Sequence, residues 1–386
     1  MSGEKRNLLT VLVADSHVII RQILVSIFKE MEEVKTIVSL DMKRGNNIES
    51  RIESIQPDVL FLGLDANTKE ELQLVESIRK NQPALPVVVM TPLSEKGALV
   101  ALEALKLGAV EFITKPDRDI GIILSKRHFR KRVMPLTRII GEINEGILNI
   151  NPAAGLQTEE VKKVFDKKTS SFTSDIELIV IAGCTGGVTS LFQLISDLSV
   201  RIPVPVVIVQ HLPKIYSRIL ASELDKITEM NVREAQNESP LIPGQIYLAP
   251  GGYHTVISND GYRKVLGIHR GPRENRNRPS IDVLLRSASQ AYNHKLLTVF
   301  LSGGGVDGIA GARNVHEAGG KIILQSRESA LVWNLNQDIS EHIPVPDQYP
   351  PGKIGSEIVK NLQGKRTSRS HRYLAKGADQ WDFKTA

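Results

Sequence analysis

The sequence predicts an α/β protein built from two doubly wound parallel-sheet domains, on three observations. Short apolar runs alternate with helix-spaced apolar segments through the first ~120 residues. That alternation stops between Asp117 and about Thr173, then restarts at Ile176. A length of 386 residues fits two or three domains. Strands that alternate with helices imply parallel sheets covered on both faces.

In the first unit, placed at residues 8–120, residues 9–14 read as a strand and 19–31 carry helix-spaced apolar side chains. Residues 59–64 form a buried strand, 72–78 lie on a helix, 86–90 on a strand and 98–107 on a helix. A last short strand, 111–114, ends at Lys115-Pro116. Residues 121–173 read as a basic helix running into a linker with weak periodicity and a Lys-Lys-Thr-Ser-Ser stretch. The second unit spans 174–361, with strands at 176–182, 204–209, 245–249, 297–302 and 321–324. Helices at 188–198, 217–226 and 282–292 fall between them. Residues 362–386 read as a basic, flexible tail closing on Gln380-Trp381-Asp382-Phe383.

Composition narrows the function classes. With 41% hydrophobic and 24% charged residues the chain is an ordinary globular protein. A single cysteine excludes an intrachain disulfide and a cysteine-based zinc site. No apolar run approaches the ~18 residues of a membrane span, and 8–14 is too short for a secretory core, so a cytoplasmic location is expected. The net charge of +6 concentrates in the tail and in Lys126-Arg127-His128-Phe129-Arg130-Lys131-Arg132. These runs are read as a solvated helix face and a loose end, and nucleic acid is not the expected partner.

Three strands of the second unit end in residues that carry chemistry. One ends at Cys184-Thr185, the next at Gln210-His211, and a later one runs through Ser302-Gly303-Gly304-Gly305 to Asp307. Ligands bind beyond the carboxyl ends of parallel strands, so this pattern gathers a nucleophile, a base and a carboxylate at one edge. A thiol at a strand-to-helix turn gains from the helix N-terminus. An imidazole matches it near neutral pH, and a carboxylate fixes the imidazole tautomer. Taken alone, Cys184 reads as a small buried hydrophobe, the usual fate of a free cysteine. The spacing Gly303-x-Gly305-x-x-Gly308 matches a dinucleotide fingerprint, but the next strand ends at Gln325 rather than an acid, and no cofactor or metal is expected.

Five segments occur in order: Gly183-Cys184-Thr185-Gly186-Gly187, Gln210-His211-Leu212-Pro213, the 243–251 stretch, Pro279-Ser280-Ile281-Asp282 and Ser302-Gly303-Gly304-Gly305-Val306-Asp307-Gly308. The set resembles the catalytic domain of the bacterial chemotaxis protein-glutamate methylesterases, and residues 8–120 resemble that family's receiver domain. The resemblance implies a receiver-like, flavodoxin-like first domain and a Rossmann-like methylesterase second domain. It implies hydrolysis of glutamyl methyl esters, and often deamidation of glutamines, on the cytoplasmic domains of chemoreceptors. A chemotaxis kinase or adaptor is a further implied partner. The family's serine, histidine and aspartate fall on Cys184, His211 and Asp307. Thr185, Gly186, Gly304 and Gly305 fall in the supporting and oxyanion region.

Four departures from the family pattern stand out. Cysteine replaces the serine nucleophile at 184. Gly304 stands where the family has Met, and Leu331-Val332-Trp333-Asn334-Leu335-Asn336 replaces a Val-Phe-Gly-Met-Pro run. In the receiver, the acidic pair is reduced to Asp15-Ser16 and the phospho-acceptor position is Gly63, which has no oxygen to phosphorylate. Asp65 is expected to lie in the following loop, and Thr91 and Lys115 remain at switch positions. A divalent cation loses most of its oxygen ligands, so a pseudo-receiver is expected. The leading reading is a Cys-His-Asp ester hydrolase not regulated by aspartyl phosphorylation. The alternative is a catalytically degenerate paralogue acting as a regulatory or binding protein.

Overall fold

The computed structural model describes residues 8–44, 47–65, 68–116, 121–144, 173–198 and 201–363. The expected linker after residue 144 and the expected tail lie almost wholly outside the described residues. The first sheet contains β1 (Leu9–Asp15), β2 (Val34–Asp41), β3 (Val59–Gly63), β4 (Val87–Thr91) and β5 (Glu111–Thr114), in the order β2-β1-β3-β4-β5 and all parallel. Its helices are α1 (Val18–Phe28), α2 (Ile48–Ile55), α3 (Thr68–Asn81), α4 (Glu95–Lys106) and α5 (Gly121–Asn144). Sequence periodicity does not reveal β2 and α2. β2 is an edge strand with only Leu40 buried, and α2 buries only Ile48 and Ile52.

The basic helix expected to belong with the linker is α5, and it is part of the first unit. Phe129, Val133, Leu136 and Ile140 are buried in one core with Phe28 and Phe61. The cationic residues lie on its other positions, with Lys126 and Arg130 bound to Glu30 on the segment after α1.

The second unit contains β6 (Leu178–Gly183), α6 (Gly187–Asp197), β7 (Val206–Gln210), α7 (Lys214–Asp225), β8 (Asn231–Glu234), β9 (Ser239–Pro240) and β10 (Gln245–Leu248). It continues with β11 (His254–Asn259), β12 (Lys264–His269), α8 (Ile281–Tyr292), β13 (Leu296–Phe300), α9 (Ile309–Glu317), β14 (Lys321–Gln325), α10 (Asn334–His342), β15 (Gln348–Tyr349) and α11 (Pro351–Leu362). A seven-stranded parallel sheet runs β15-β14-β13-β6-β7-β10-β8, and β11-β12-β9 form a separate antiparallel sheet. β6, β7 and β13 are buried at every position, which is why they read as unbroken apolar runs. The antiparallel hairpin is not anticipated by the sequence reading. Among the described residues, no helix is long and apolar enough to cross a membrane.

The two units share an interface built on Tyr216 of α7. Its ring stacks on Phe112 of β5 with centroids 4.9 Å apart, and its hydroxyl lies 2.8 Å from Thr91 Oγ1. The same hydroxyl donates to the Pro92 carbonyl at 3.1 Å. Burial pushes this phenol up to about 12, so it stays a donor at physiological pH. Lys106 of α4 bonds Glu223 of α7 at 2.7 Å and sits over the Phe192 ring.

Candidate functional site

β13, β6 and β7 are adjacent in the sheet, and their carboxyl ends carry the three residues singled out from the sequence. Gly183 pairs with Gln210 and Ala182 with Phe300, so Cys184 and His211 leave their strands at the same level. The chain turns to opposite sides of β6 to form β7 and β13, which places Cys184 at the crevice where ligands bind.

Backbone contacts fix the turn at Cys184. Cys184 donates its N–H to the Ser302 carbonyl at 3.0 Å, and its own carbonyl accepts from Gln210 Nε2 at 2.6 Å. Gly186 has φ 74°, and a β-carbon there would lie 2.5 Å from Ser302 Oγ and 2.7 Å from Leu331 Cβ. Glycine is therefore required for both conformation and space. α6 begins one residue later, with its N-terminus towards the thiol.

His211 Nε2 is 2.7 Å from Asp307 Oδ2, and the ring's Nδ1 is buried without a hydrogen-bond partner. Asp307 is buried and fixed by the start of α8. It accepts from Ser280 Oγ at 2.7 Å, Ile281 N–H at 2.9 Å, Asp282 N–H at 3.3 Å and Asn275 Nδ2 at 3.3 Å. Burial raises the Asp307 carboxyl, but His211 and these donors outweigh it and hold it below the usual carboxylate range.

The thiol and imidazole are electrostatically coupled. Burial raises the Cys184 thiol, yet the charge of His211, with N–H groups of Thr185 and Gly304, brings it down to about 7. Burial lowers the His211 imidazolium, and Cys184 and Asp307 more than reverse this, to about 10. At neutral pH a large share of Cys184 is thereby thiolate, facing a protonated imidazole.

The supporting residues divide. Thr185 and Gly304 direct N–H groups at the sulfur. Gly305, at φ 89°, shapes the turn. The Gly186 N–H is not directed there: it donates to Glu111 Oε2 of β5 at 2.6 Å. A β-carbon on Gly304 would lie 3.0 Å from Val332 Cγ1, so Val332 occupies part of the volume that a larger residue 304 needs. Gln210, Asn275, Ser280, Asp282 and Glu111 were not assigned roles from the sequence. Ser280 before an apolar helix is a legible N-cap, and its hydroxyl does accept the Val283 N–H. Gln210 and Asp282 lie in segments that carry the family resemblance, and nothing in the sequence marks Asn275 or Glu111.

At the receiver's carboxyl edge, a β-carbon on Gly63 would lie 1.8 Å from Asp15 Oδ2. The Asp15 carboxylate thus occupies the position of an acceptor side chain. Lys115 Nζ bridges Asp15 Oδ2 at 3.0 Å and Asp65 Oδ1 at 2.8 Å, and Ser16 Oγ donates to Asp65 Oδ2. Asp65 is in the loop, as expected, but its carboxylate folds back onto Lys115. Burial raises it, while Lys115 and Ser16 hold it below its ordinary range. Asp15, His17 and Asp65 form the one described group with converging ligand atoms. The Lys115 ammonium between the two carboxylates, with Gly63 supplying no oxygen, does not fit a receiver's divalent cation.

Known proteins match both units of the chain. A family model described as CheB methylesterase matches residues 179–358, and one for the response regulator receiver domain matches 11–123. The chain is 31% identical to protein-glutamate methylesterase/protein-glutamine glutaminase 1 of Hahella chejuensis, over 93% of this chain and 98% of that one. It is 28% identical to the protein-glutamate methylesterase/protein-glutamine glutaminase of Trichodesmium erythraeum, over 91% and 98%. The crystal structure of the Thermotoga maritima CheB methylesterase catalytic domain is 31% identical, with TM-score 0.47, covering 48% of this chain and 98% of that one. The chain belongs to the CheB protein-glutamate methylesterase/glutaminase family, with a receiver domain ahead of the methylesterase domain.

Proposed function

We propose that this CheB-family chain hydrolyses glutamyl methyl esters on chemoreceptors, and deamidates glutamines there, through Cys184, His211 and Asp307. The observation that carries this reading is the His211–Asp307 contact of 2.7 Å beside a thiol lowered to about 7. The Cys184 thiolate attacks the ester carbonyl carbon, and the oxyanion that forms takes N–H bonds from Thr185 and Gly304. The imidazolium of His211 gives its proton to the departing methoxide, releasing methanol and leaving a thioester. Water then attacks the thioester while His211 takes its proton, and the C–S bond breaks to free the glutamate carboxyl and restore the Cys184 thiolate beside the imidazolium. Asp307 holds the ring and supports its charge throughout.

Control by aspartyl phosphorylation is absent from this reading, because Asp15 fills the acceptor's place and Lys115 is committed to two carboxylates. A second reading, a regulatory protein without turnover, draws on one observation. Glu111 holds the Gly186 N–H beside Cys184, where a third oxyanion donor would be useful. Methanol release from methyl-labelled receptor membranes decides between them. Release that disappears in Cys184→Ala supports the hydrolase, and no release above a protein-free blank overturns it.

A further inference from the structure

The loop between β12 and α8 includes Arg270-Gly271-Pro272-Arg273-Glu274-Asn275-Arg276-Asn277-Arg278, four arginines with a single acid. Glu274 and Asn277 exchange backbone hydrogen bonds of 3.2 and 2.8 Å, closing a two-residue turn. Both central residues are left-handed, Asn275 at φ 49° and Arg276 at φ 66°. Such turns favour Asn followed by Gly, because a β-carbon is disfavoured in that conformation. Arg276 stands where glycine fits best, and it is exposed, so burial does not offset the strain. A strained residue of this kind points towards function when its neighbours hold it in place. They do: Asn275 Nδ2 donates to Asp282 Oδ2 at 2.7 Å and to Asp307 Oδ1 at 3.3 Å. Arg276 is therefore fixed one residue from a group bound to the catalytic carboxylate.

The loop's charge is largely unneutralised. Glu274 is engaged by Arg286 in a two-pronged contact of 2.9 and 2.8 Å, and Arg278 Nη1 donates to the Gly271 carbonyl. Arg270, Arg273 and Arg276 are exposed, and among the described residues none has a carboxylate partner. Arg273 also lines a cavity of about 510 Å³ with His254, His269, Glu274 and Arg286.

We propose that Arg276, with Arg270 and Arg273, docks an acidic face of the protein substrate and presents its target side chain to Cys184. The proposal deepens the hydrolase reading and rests on it for the identity of the target. Guanidinium forks match carboxylates with direction as well as charge. Each hydrolysis converts a neutral ester into a carboxylate, so a substrate with several target groups gains attraction for this rim as it is processed. Nucleic acid fits the rim less well, because the loop has no aromatic side chain on which a base could stack.

The test measures binding by the full-length Cys184→Ala protein, so hydrolysis does not enter. The probes are a labelled helical peptide with glutamates along one face, its glutamine counterpart and a single-stranded oligonucleotide, at low salt. The glutamate peptide is expected to bind more tightly than the glutamine peptide. Arg276→Gly should weaken it by roughly fivefold, the upper range for one exposed guanidinium–carboxylate contact. Serine at 270, 273 and 276 together should erase the difference between the peptides. Arg276→Gly relieves the turn and should hold or raise the Tm, and Arg276→Asn repeats the test with another residue that tolerates it. Equal binding of the two peptides, full binding by both Arg276 variants, or tighter binding of the oligonucleotide would overturn the proposal. Retained peptide binding without methanol release would instead count only against the hydrolase reading.

Discussion

Replacing Gly63 by Asp returns to the receiver the residue type that is phosphorylated, yet the expected result is a destabilised protein that still takes no phosphate. The new β-carbon would lie 1.8 Å from Asp15 Oδ2, 2.3 Å from its Cγ and 2.9 Å from its Cβ, so Asp15 has to move. Asp15 is fully buried, its Oδ1 accepting from the His17 N–H at 2.7 Å and its Oδ2 lying 3.0 Å from Lys115 Nζ. Overpacking of this kind costs about 1–3 kcal/mol. Breaking a buried ion pair costs about 3–5 kcal/mol, but Lys115 retains Asp65 and the new carboxylate, so about 3 kcal/mol in total is the working figure. For a unit of this size that lowers Tm by roughly 10 °C. Calorimetry on the full chain reads the shift, and labelled acetyl phosphate reads the modification. The double variant Asp15→Ala with Gly63→Asp removes the obstruction and should recover most of the loss, a coupling well beyond ~1 kcal/mol. An unchanged Tm in the single variant, strict additivity in the double, or an acyl phosphate on the Gly63→Asp protein would refute the reasoning.

Cys184 should react with iodoacetamide along a titration centred near pH 7, two units below its ordinary 9.0. At pH 6 the thiolate population is then about 100-fold that of an ordinary thiol, and the rate should fall to the ordinary level in His211→Ala. Because burial raises the thiol and the His211 charge is the largest influence that lowers it, an unchanged rate in that variant would contradict the coupled pair. Cys184→Ala should abolish methanol release, whereas Cys184→Ser should retain or raise it, since the surrounding turns match a serine site. Gly304→Ala should lower stability by about 1 kcal/mol through its 3.0 Å contact with Val332, and Val332→Ala should relieve that contact. Tyr216→Phe leaves Thr91 without its partner and should cost about 1–3 kcal/mol, read as separation of one denaturation transition into two.

The fold was legible where burial was two-sided. β6, β7 and β13 are sealed on both faces and show as continuous apolar runs, so the triad on their ends could be assembled before any coordinates. β2 and α2 were missed because a half-exposed edge strand and a helix with two buried residues leave little periodic signal. α5 reads from sequence as part of the linker because its cationic residues dominate its composition, although the spacing of Phe129, Val133, Leu136 and Ile140 is helical. The Glu111–Gly186 bond and the Tyr216 interface were invisible, since each joins residues more than seventy positions apart that carry no local mark. The displacement of Asp15 into the acceptor's space was also beyond sequence, which showed the loss of an aspartate but not what filled its volume.

The departures from the family pattern are not independent losses. At the receiver edge the missing acceptor side chain is matched by Asp15 entering its volume, and Lys115 neutralises both Asp15 and Asp65. Beside the catalytic turn the family's Met at 304 is absent, and Val332, from the replaced segment, closes on that glycine. Val332 and Leu331 in turn share a buried cluster with Phe129 and Val133 of α5, so the altered wall of the site is also a contact with the receiver. Thr91, a switch position in the resemblance, lies against Tyr216 rather than free to move towards a phosphoryl group. An eroding site accumulates cavities and unpaired charges, each costing about 1 kcal/mol or more. Here Asp15 and Val332 fill the vacated volumes, and Lys115 pairs with both Asp15 and Asp65. That pattern favours a receiver retained as a fixed brace on the methylesterase-family unit, with the His211–Asp307 contact of 2.7 Å held beside Cys184.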